Sequence, residues 1–347
     1  MSSLTQVAYS SRRLIKYGGS GLLVFIIVWT LSVAGIRAYL RAHPPYVAPT
    51  TKYGILPKNV FPQKNFSKKN FSLELPNDSI PKFGDQAKVY VIYRPENTFL
   101  ALDYDSKIAE SYGFKLKPTE IKSGIYEFKK EGSEQKLTMN VIEGSFKLEY
   151  PYTNDQEIST KSSAPLKDEA IEIAKSFLKK GNKSPTDIEG GNQKVSYWKV
   201  EYDGLKPVTS ATDAQVARVD FFRKKLDGDL EIVPADYIQA PISVMVSGLK
   251  DENRQVVEAN YKYSNIDRES FSTYPIKTPE EAFNELKSGN YWPAIDSKKE
   301  SVTLRRISLA YFEPVTLTNY LQPVYVFNSG DNDMVVYVPA IKSKWIK

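Results

Sequence analysis

The feature that most limits what this chain can become is a run of twenty residues without a charge, Tyr17 to Ile36, centred on LLVFIIVWTLSVAGI. A helix needs about 20 mainly apolar residues to cross roughly 30 Å of hydrocarbon, so residues 17–40 are expected to form a transmembrane helix. Arg12, Arg13 and Lys16 precede the run, Arg37 and Arg41 follow it, and Tyr39 falls at the expected interface. Basic residues on both sides leave the positive-inside rule undecided. The lengths on either side favour a cytoplasmic head, residues 1–16, and a translocated C-terminal region. Ser32-Val33-Ala34 also fits a small-x-small cleavage site, so a signal peptide cut near Ala34 is the competing reading. The apolar stretch running on to Leu40 favours a retained anchor.

The excess positive charge belongs to this N-terminal part. Six of the 47 basic residues and none of the 41 acidic ones precede Tyr53, so residues 53–347 are formally neutral. A nucleic-acid footprint needs a basic face on the folded part, and composition supplies none. With no cysteine, disulfides, thiol catalysis and thiolate zinc sites are excluded. The single histidine, His43, lies just past the apolar run in HPPYVAP. Clustered-histidine metal sites and Ser-His-Asp chemistry are thereby excluded from the folded part.

Residues 41–69 form a Pro- and Lys-rich linker. Pro44, Pro45, Pro49, Pro57 and Pro62 favour extended chain, and Lys52, Lys58, Lys64, Lys68 and Lys69 precede the first acid, Glu74. A solvated stalk is expected, with contact to anionic lipid or wall polymer as the alternative. Beyond it the pattern is α+β. TFLALDYDSKIAESYG puts Ala101, Tyr104, Ile108 and Tyr112 on one helical stripe, with Gly113 suited to end the helix. PLKDEAIEIAKSFLKKG buries Ala170, Ile171, Ala174, Phe177 and Leu178 on one face, and TPEEAFNELKSG does the same with Ala282, Phe283 and Leu286. Strand-like runs follow each helix. Asp227-Gly228 reads as a hairpin turn between AQVARVDFFRKK and LEIVPADYI, and GDND as the turn between the last two strands. The expected organisation is three modules, residues 70–155, 156–270 and 271–347, each a short helix packed on an antiparallel sheet, with the third packed against the second.

Asp168-Glu169-Ala170 with Ile171 and Ala174 lines up with Glu280-Glu281-Ala282 with Phe283 and Leu286. These acidic helix starts, with strands of the type ISLAYFEP and LQPVYVF, resemble PepSY-type modules, and more particularly the membrane-anchored YycH/YycI-type accessory proteins. The resemblance covers the anchor and residues 160–341. It implies one N-terminal transmembrane helix, an extracytoplasmic α+β region, and regulation of a sensor kinase through protein contacts. It implies no catalytic residue.

Four groups of residues are candidates for chemistry. Thr278-Pro279-Glu280-Glu281 fits a capping box, which gives both glutamates a role at a helix start rather than as paired acid and base. Ser-x-x-Lys occurs at Ser79/Lys82, Ser133/Lys136, Ser176/Lys179, Ser196/Lys199 and Ser247/Lys250, without the companion motifs of Ser-Lys enzymes. Asp103-Tyr104-Asp105, Asp227-Gly228-Asp229 and Asp331-Asn332-Asp333 do not continue into a calcium loop. The tyrosine-rich strands, with Tyr197, Trp198, Tyr202, Tyr261, Tyr263, Tyr311, Phe312, Tyr325, Phe327 and Tyr337, suit a half-buried sheet, and any exposed members mark an interface. No catalytic, cofactor or metal residue is assigned. The expectation is a single-pass, extracytoplasmic, non-enzymatic protein that works through protein contacts, an accessory regulator of an envelope sensor or assembly. A cell-wall glycan-binding module or a carboxylate-based wall enzyme is the alternative.

Overall fold

The computed structural model describes residues 4–42, 46–93, 100–235, 237, 240–314, 316 and 318–347; His43 and the prolines beside it lie outside this set. The chain divides into two compact units, residues 1–48 and 49–347. The first contains one helix, α1 (Leu4–Ala42). Its stretch Ser11–Leu40 is long and apolar enough to cross a membrane, and Leu22, Phe25 and Trp29 are all exposed along it.

The second unit is mixed α and β, with sheets predominating. In chain order it begins with β1 (Asn70–Leu73), β2 (Gln86–Tyr93), α2 (Ala101–Ser111), β3 (Thr119–Lys122), β4 (Ile125–Lys129), β5 (Lys136–Asn140) and β6 (Ser145–Glu149). Three helices follow, α3 (Gln156–Lys161), α4 (Lys167–Lys180) and α5 (Thr186–Glu189). Next come β7 (Gln193–Glu201), β8 (Gly204–Val208), β9 (Val216–Phe221), β10 (Glu231–Pro234), β11 (Ile242–Ser247), β12 (Val256–Tyr261) and β13 (Asn265–Pro275). The chain ends with α6 (Pro279–Lys287), β14 (Trp292–Ile295), β15 (Ser301–Leu304), β16 (Arg306–Glu313), β17 (Tyr320–Asn328) and β18 (Val335–Pro339).

Two large sheets organise these strands. Nine antiparallel strands run in the order β3-β4-β5-β6-β12-β11-β9-β7-β8. The other sheet has seven, β10-β16-β17-β18-β14, with β2 pairing both β17 and β13. Strand pairing therefore crosses the limits expected at residues 155 and 270. β6 pairs β12, and β2 pairs β13 across nearly two hundred residues of sequence. The two helices of the first two expected modules share one core: Ile108 and Ala109 of α2 and Ala170, Ala174 and Leu178 of α4 pack into a single cluster on the nine-stranded sheet. Local periodicity identifies a helix or a strand, but it does not say which distant strand completes a sheet.

The period-2 alternation of strands gives the nine-stranded sheet two different faces. One row across it reads Leu148, Ala259, Val244, Val219, Val195, and this face carries the helices. The next row reads Lys147, Asn260, Ser243, Asp220, Lys194. α4 buries the expected residues, Ala170, Ala174 and Leu178, ends at Gly181, and carries Asp168 and Glu169 in its first turn, where the helix dipole favours them. Gly181 also permits a close approach, since a Cβ there would come within 2.0 Å of the Tyr112 hydroxyl. The α2 stripe is shifted from the expected one. Asp105, Ile108 and Ala109 are the buried residues, while Tyr104 is more than half exposed; Gly113 ends the helix at φ +92°.

The linker also departs from expectation. From Thr50 onward it is laid along the second unit rather than standing in solvent. Thr50 N donates to Thr273 Oγ1 at 3.0 Å, Tyr53 N to the Tyr274 hydroxyl at 3.0 Å and Leu56 N to the Trp345 carbonyl at 2.8 Å. Leu56 is fully buried, and Lys69 is buried with its ammonium on the carbonyls of Ser297 and Lys299 and on Asp296. Prolines hold the backbone extended, and an extended chain can lend its amide groups to a neighbouring edge. Apolar residues between the lysines, among them Phe61 and Phe66, pack into the C-terminal cores.

Candidate functional site

The Thr278-Pro279-Glu280-Glu281 motif is a helix start. Thr278 Oγ1 accepts from Glu281 N at 3.2 Å, and the Glu281 carboxylate accepts from Thr278 N at 2.8 Å, the reciprocal pair of a capping box. Ala282 and Leu286 are buried behind it, with Phe283 packed against the same core.

The other candidates also resolve into structure. Ser133, Ser196 and Ser247 engage the Gln135 amide, the Trp198 indole N–H and the Arg254 carbonyl. No group of three or more metal-ligating side chains occurs among the described residues. Asp331-Asn332-Asp333 lies in the expected turn between β17 and β18. Asp227 has the φ of +48° that a tight turn needs, but the flanking strands do not form a hairpin: β9 joins the nine-stranded sheet and β10 runs parallel to β16 in the other. Its carboxylate instead accepts from Lys88 Nζ (2.6 Å) and the hydroxyls of Tyr90 (2.7 Å) and Tyr311 (2.6 Å). Burial opposes the charge, but these three donors hold the Asp227 carboxyl below its usual range. Of the tyrosine-rich strands, Tyr311, Phe312, Tyr325, Phe327 and Tyr337 are core residues, and Tyr202 stands fully exposed at the β7–β8 turn.

Where the polar face of the nine-stranded sheet meets the other sheet, an open groove of about 570 Å³ forms. Lys147, Arg218, Ser243, Glu258, Asn260 and Lys262 line it from the first sheet. Pro234, Trp292, Ala294 and Glu313 line it from the second, and Pro62, Gln63 and Lys64 from the linker. The alternation of β6, β9, β11 and β12 places these polar groups here while their neighbours enter the core. The walls are braced. Trp292 stacks on Phe61 at 5.7 Å and donates its indole N–H to the Ala235 carbonyl at 3.1 Å. Lys64 lies 5.9 Å from the same ring and donates to the Pro293 carbonyl. Arg218 pairs with Asp220 at 2.9 Å, and Lys147 with Glu149 at 2.5 Å.

Behind the groove, Arg223 bridges the two sheets. Its Nε donates to Asp187 of α5 at 2.8 Å, and its Nη1 to Glu313 of β16 at 2.7 Å and to the Ser264 carbonyl at 2.9 Å. Its guanidinium also lies 4.4 Å from the Tyr263 ring centre. Burial would lower the Arg223 pKa, but the two carboxylates reverse that and hold the guanidinium charged. Burial pushes Glu313 up, against the pull of Arg223. The sequence reading did not single out Arg223. The only local signal was an arginine directly after the apolar strand VARVDFF, and its partners lie 36 and 90 positions away.

No protein-family profile matches the chain, and no curated protein matches it. Among solved structures, an uncharacterized protein from Eubacterium rectale ATCC 33656 is similar over 75% of this chain and 79% of that one, at 14% identity and a TM-score of 0.38. A likeness that distant carries no argument about function.

Proposed function

We propose that this is a single-pass membrane protein whose C-terminal unit is extracytoplasmic and acts without catalysis, by holding an extended segment of another membrane-associated protein in the groove between its sheets. It would thereby serve as an accessory regulator of an envelope sensor or assembly. The observation that carries this reading is the groove itself. It is open, braced on both sides by stacking and ion pairs, and lined by donors and acceptors rather than by histidine, cysteine or a pair of free carboxylates. The four basic residues Lys64, Lys147, Arg218 and Lys262 outnumber Glu258 and Glu313 there, which favours a segment bearing carboxylates. The apolar stretch of α1, the six basic residues flanking and following it, and the PepSY-like helix starts support a tethered regulator.

A photo-crosslinking residue placed at Ser243 or Lys262 in the full chain, in the cells that produce it, tests this directly. A discrete membrane-protein adduct from both positions, and none from exposed Glu120 on β3, is expected. Adducts indistinguishable among the three positions, or none from the groove, would contradict it.

A further inference from the structure

On the opposite, helix-covered face of the nine-stranded sheet a second cleft, of about 590 Å³, opens among α2, the β5–β6 turn, the loop after α4 and the end of β12. Three charged side chains line it, Asp105, Lys183 and, on the β5–β6 turn, Glu143, whose carboxylate accepts from the Ser145 hydroxyl at 3.5 Å. Asp105 is 4% exposed, and its Oδ2 is buried with no hydrogen-bond partner among the described residues. Lys183, presented by the turn after α4, reaches over the Tyr261 ring with its ammonium 5.1 Å from the ring centre; among the described residues its ammonium makes one hydrogen bond, a long one of 3.4 Å, to the Gly144 carbonyl. The two attract each other electrostatically but form no ion pair within 4.0 Å. Opposite charges in low dielectric close up when nothing has to fit between them. Here they remain apart, and both line the cleft.

Charge selects what fits. A cation would meet Lys183, and an anion would meet Asp105 and Glu143. A neutral group that donates to the carboxylate and accepts from the ammonium satisfies both, and a hydroxyl does each. Around this polar floor stand Tyr93 and Tyr104, both more than half exposed, with Tyr261, Tyr263 and Asn265. Exposed tyrosine rings offer apolar faces with a polar edge, suited to the C–H face of a sugar ring, and Asn265 adds a further donor and acceptor. We infer that this cleft is a binding site for a neutral saccharide, with Asp105 and Lys183 sharing its hydroxyls and the tyrosines packing on its ring. Site and groove lie on opposite faces of the sheet, so the inference stands or falls independently of the partner-segment reading.

The test is saturation-transfer NMR on the full chain in lipid nanodiscs, with maltotriose and triacetylchitotriose as neutral probes, and L-alanine and glucose 6-phosphate as zwitterionic and anionic ones. At least one neutral saccharide should bind saturably at a concentration no higher than about 10 mM. The affinity should fall by tenfold or more, on the order of one decade, in both Asp105→Leu and Lys183→Met, and should be unchanged in the groove variant Lys262→Ala. Tyr104→Ala, at an exposed position that cannot unfold the core, should weaken binding severalfold. An absence of binding by both neutral probes, binding that survives Asp105→Leu and Lys183→Met, or preferential binding of L-alanine or glucose 6-phosphate would each overturn the inference.

Discussion

Two buried charge clusters sit on the same unit and are built in opposite ways. Around Arg223 the charges touch: two carboxylates, a carbonyl and an aromatic face converge on one guanidinium. Around Asp105 and Lys183 they do not touch. Each cluster leaves buried atoms without a hydrogen-bond partner among the described residues, Asp105 Oδ2 in the second and Arg223 Nη2 and Glu313 Oε2 in the first, but only in the first does each charge also meet an opposite one directly. The first arrangement offsets part of its desolvation through direct ion pairs and fastens two sheets together. The second leaves desolvation uncompensated, a cost that folding alone does not explain and that a bound group would relieve. Contact, rather than burial or charge, separates a structural cluster from a receptive one here.

Substitutions should expose that contrast. Arg223→Met should have the largest effect, a loss of about 3–5 kcal/mol in urea unfolding, because it strands Glu313 and Asp187 in the interior. Replacing Arg223, Glu313 and Asp187 together with Met, Leu and Leu should recover most of that loss. A single-variant loss under about 1 kcal/mol would mean the clasp is solvated.

Asp105→Asn should move stability the other way. Burial raises the Asp105 carboxyl to about 6, with Lys183 pulling it down only in part. Between the unfolded value near 4 and this folded value, the unfolded chain binds fewer protons, so stability falls as pH rises through that window. The variant should therefore be more stable than the parent by about 2–3 kcal/mol at pH 7.5, with the gap closing near pH 4. A gap independent of pH would contradict an uncompensated carboxylate.

Gly181→Ala tests the support beneath Lys183. The added Cβ meets the Tyr112 ring, and the strain should cost about 1–3 kcal/mol in thermal unfolding. The smallest effect should come from the helix start: Thr278→Ala should cost about 1 kcal/mol, and neither it nor Glu281→Gln should alter saccharide binding or crosslinking from the groove.

Much of this architecture is legible in the sequence, and the illegible parts share a cause. The apolar run, α4 and α6 with its capping box are local patterns, readable from spacing and end residues alone. Periodicity places Tyr104 on the buried stripe of α2 with Ile108 and Tyr112, whereas in the fold Tyr104 is exposed and the neighbouring Asp105 is buried. The linker's lysines and prolines read as a stalk because the edges that receive it, near Thr273 and Trp345, lie more than two hundred residues away. The strand pairing that crosses the expected module limits is illegible for the same reason: β2 finds its partner in β13. Neither Arg223 nor the Asp105–Lys183 pair has a local signature, since each is assembled from segments that meet only in the folded unit.

The most direct test of the contrast is a carbon-13 NMR titration of the aspartate carboxyls in the full chain, with the Asp105 resonance identified by its loss in Asp105→Asn. It should titrate at about 6. A value at or below the ordinary carboxylate range, near 4, would mean that Asp105 is solvated or paired, and that the cleft is not held open for a ligand.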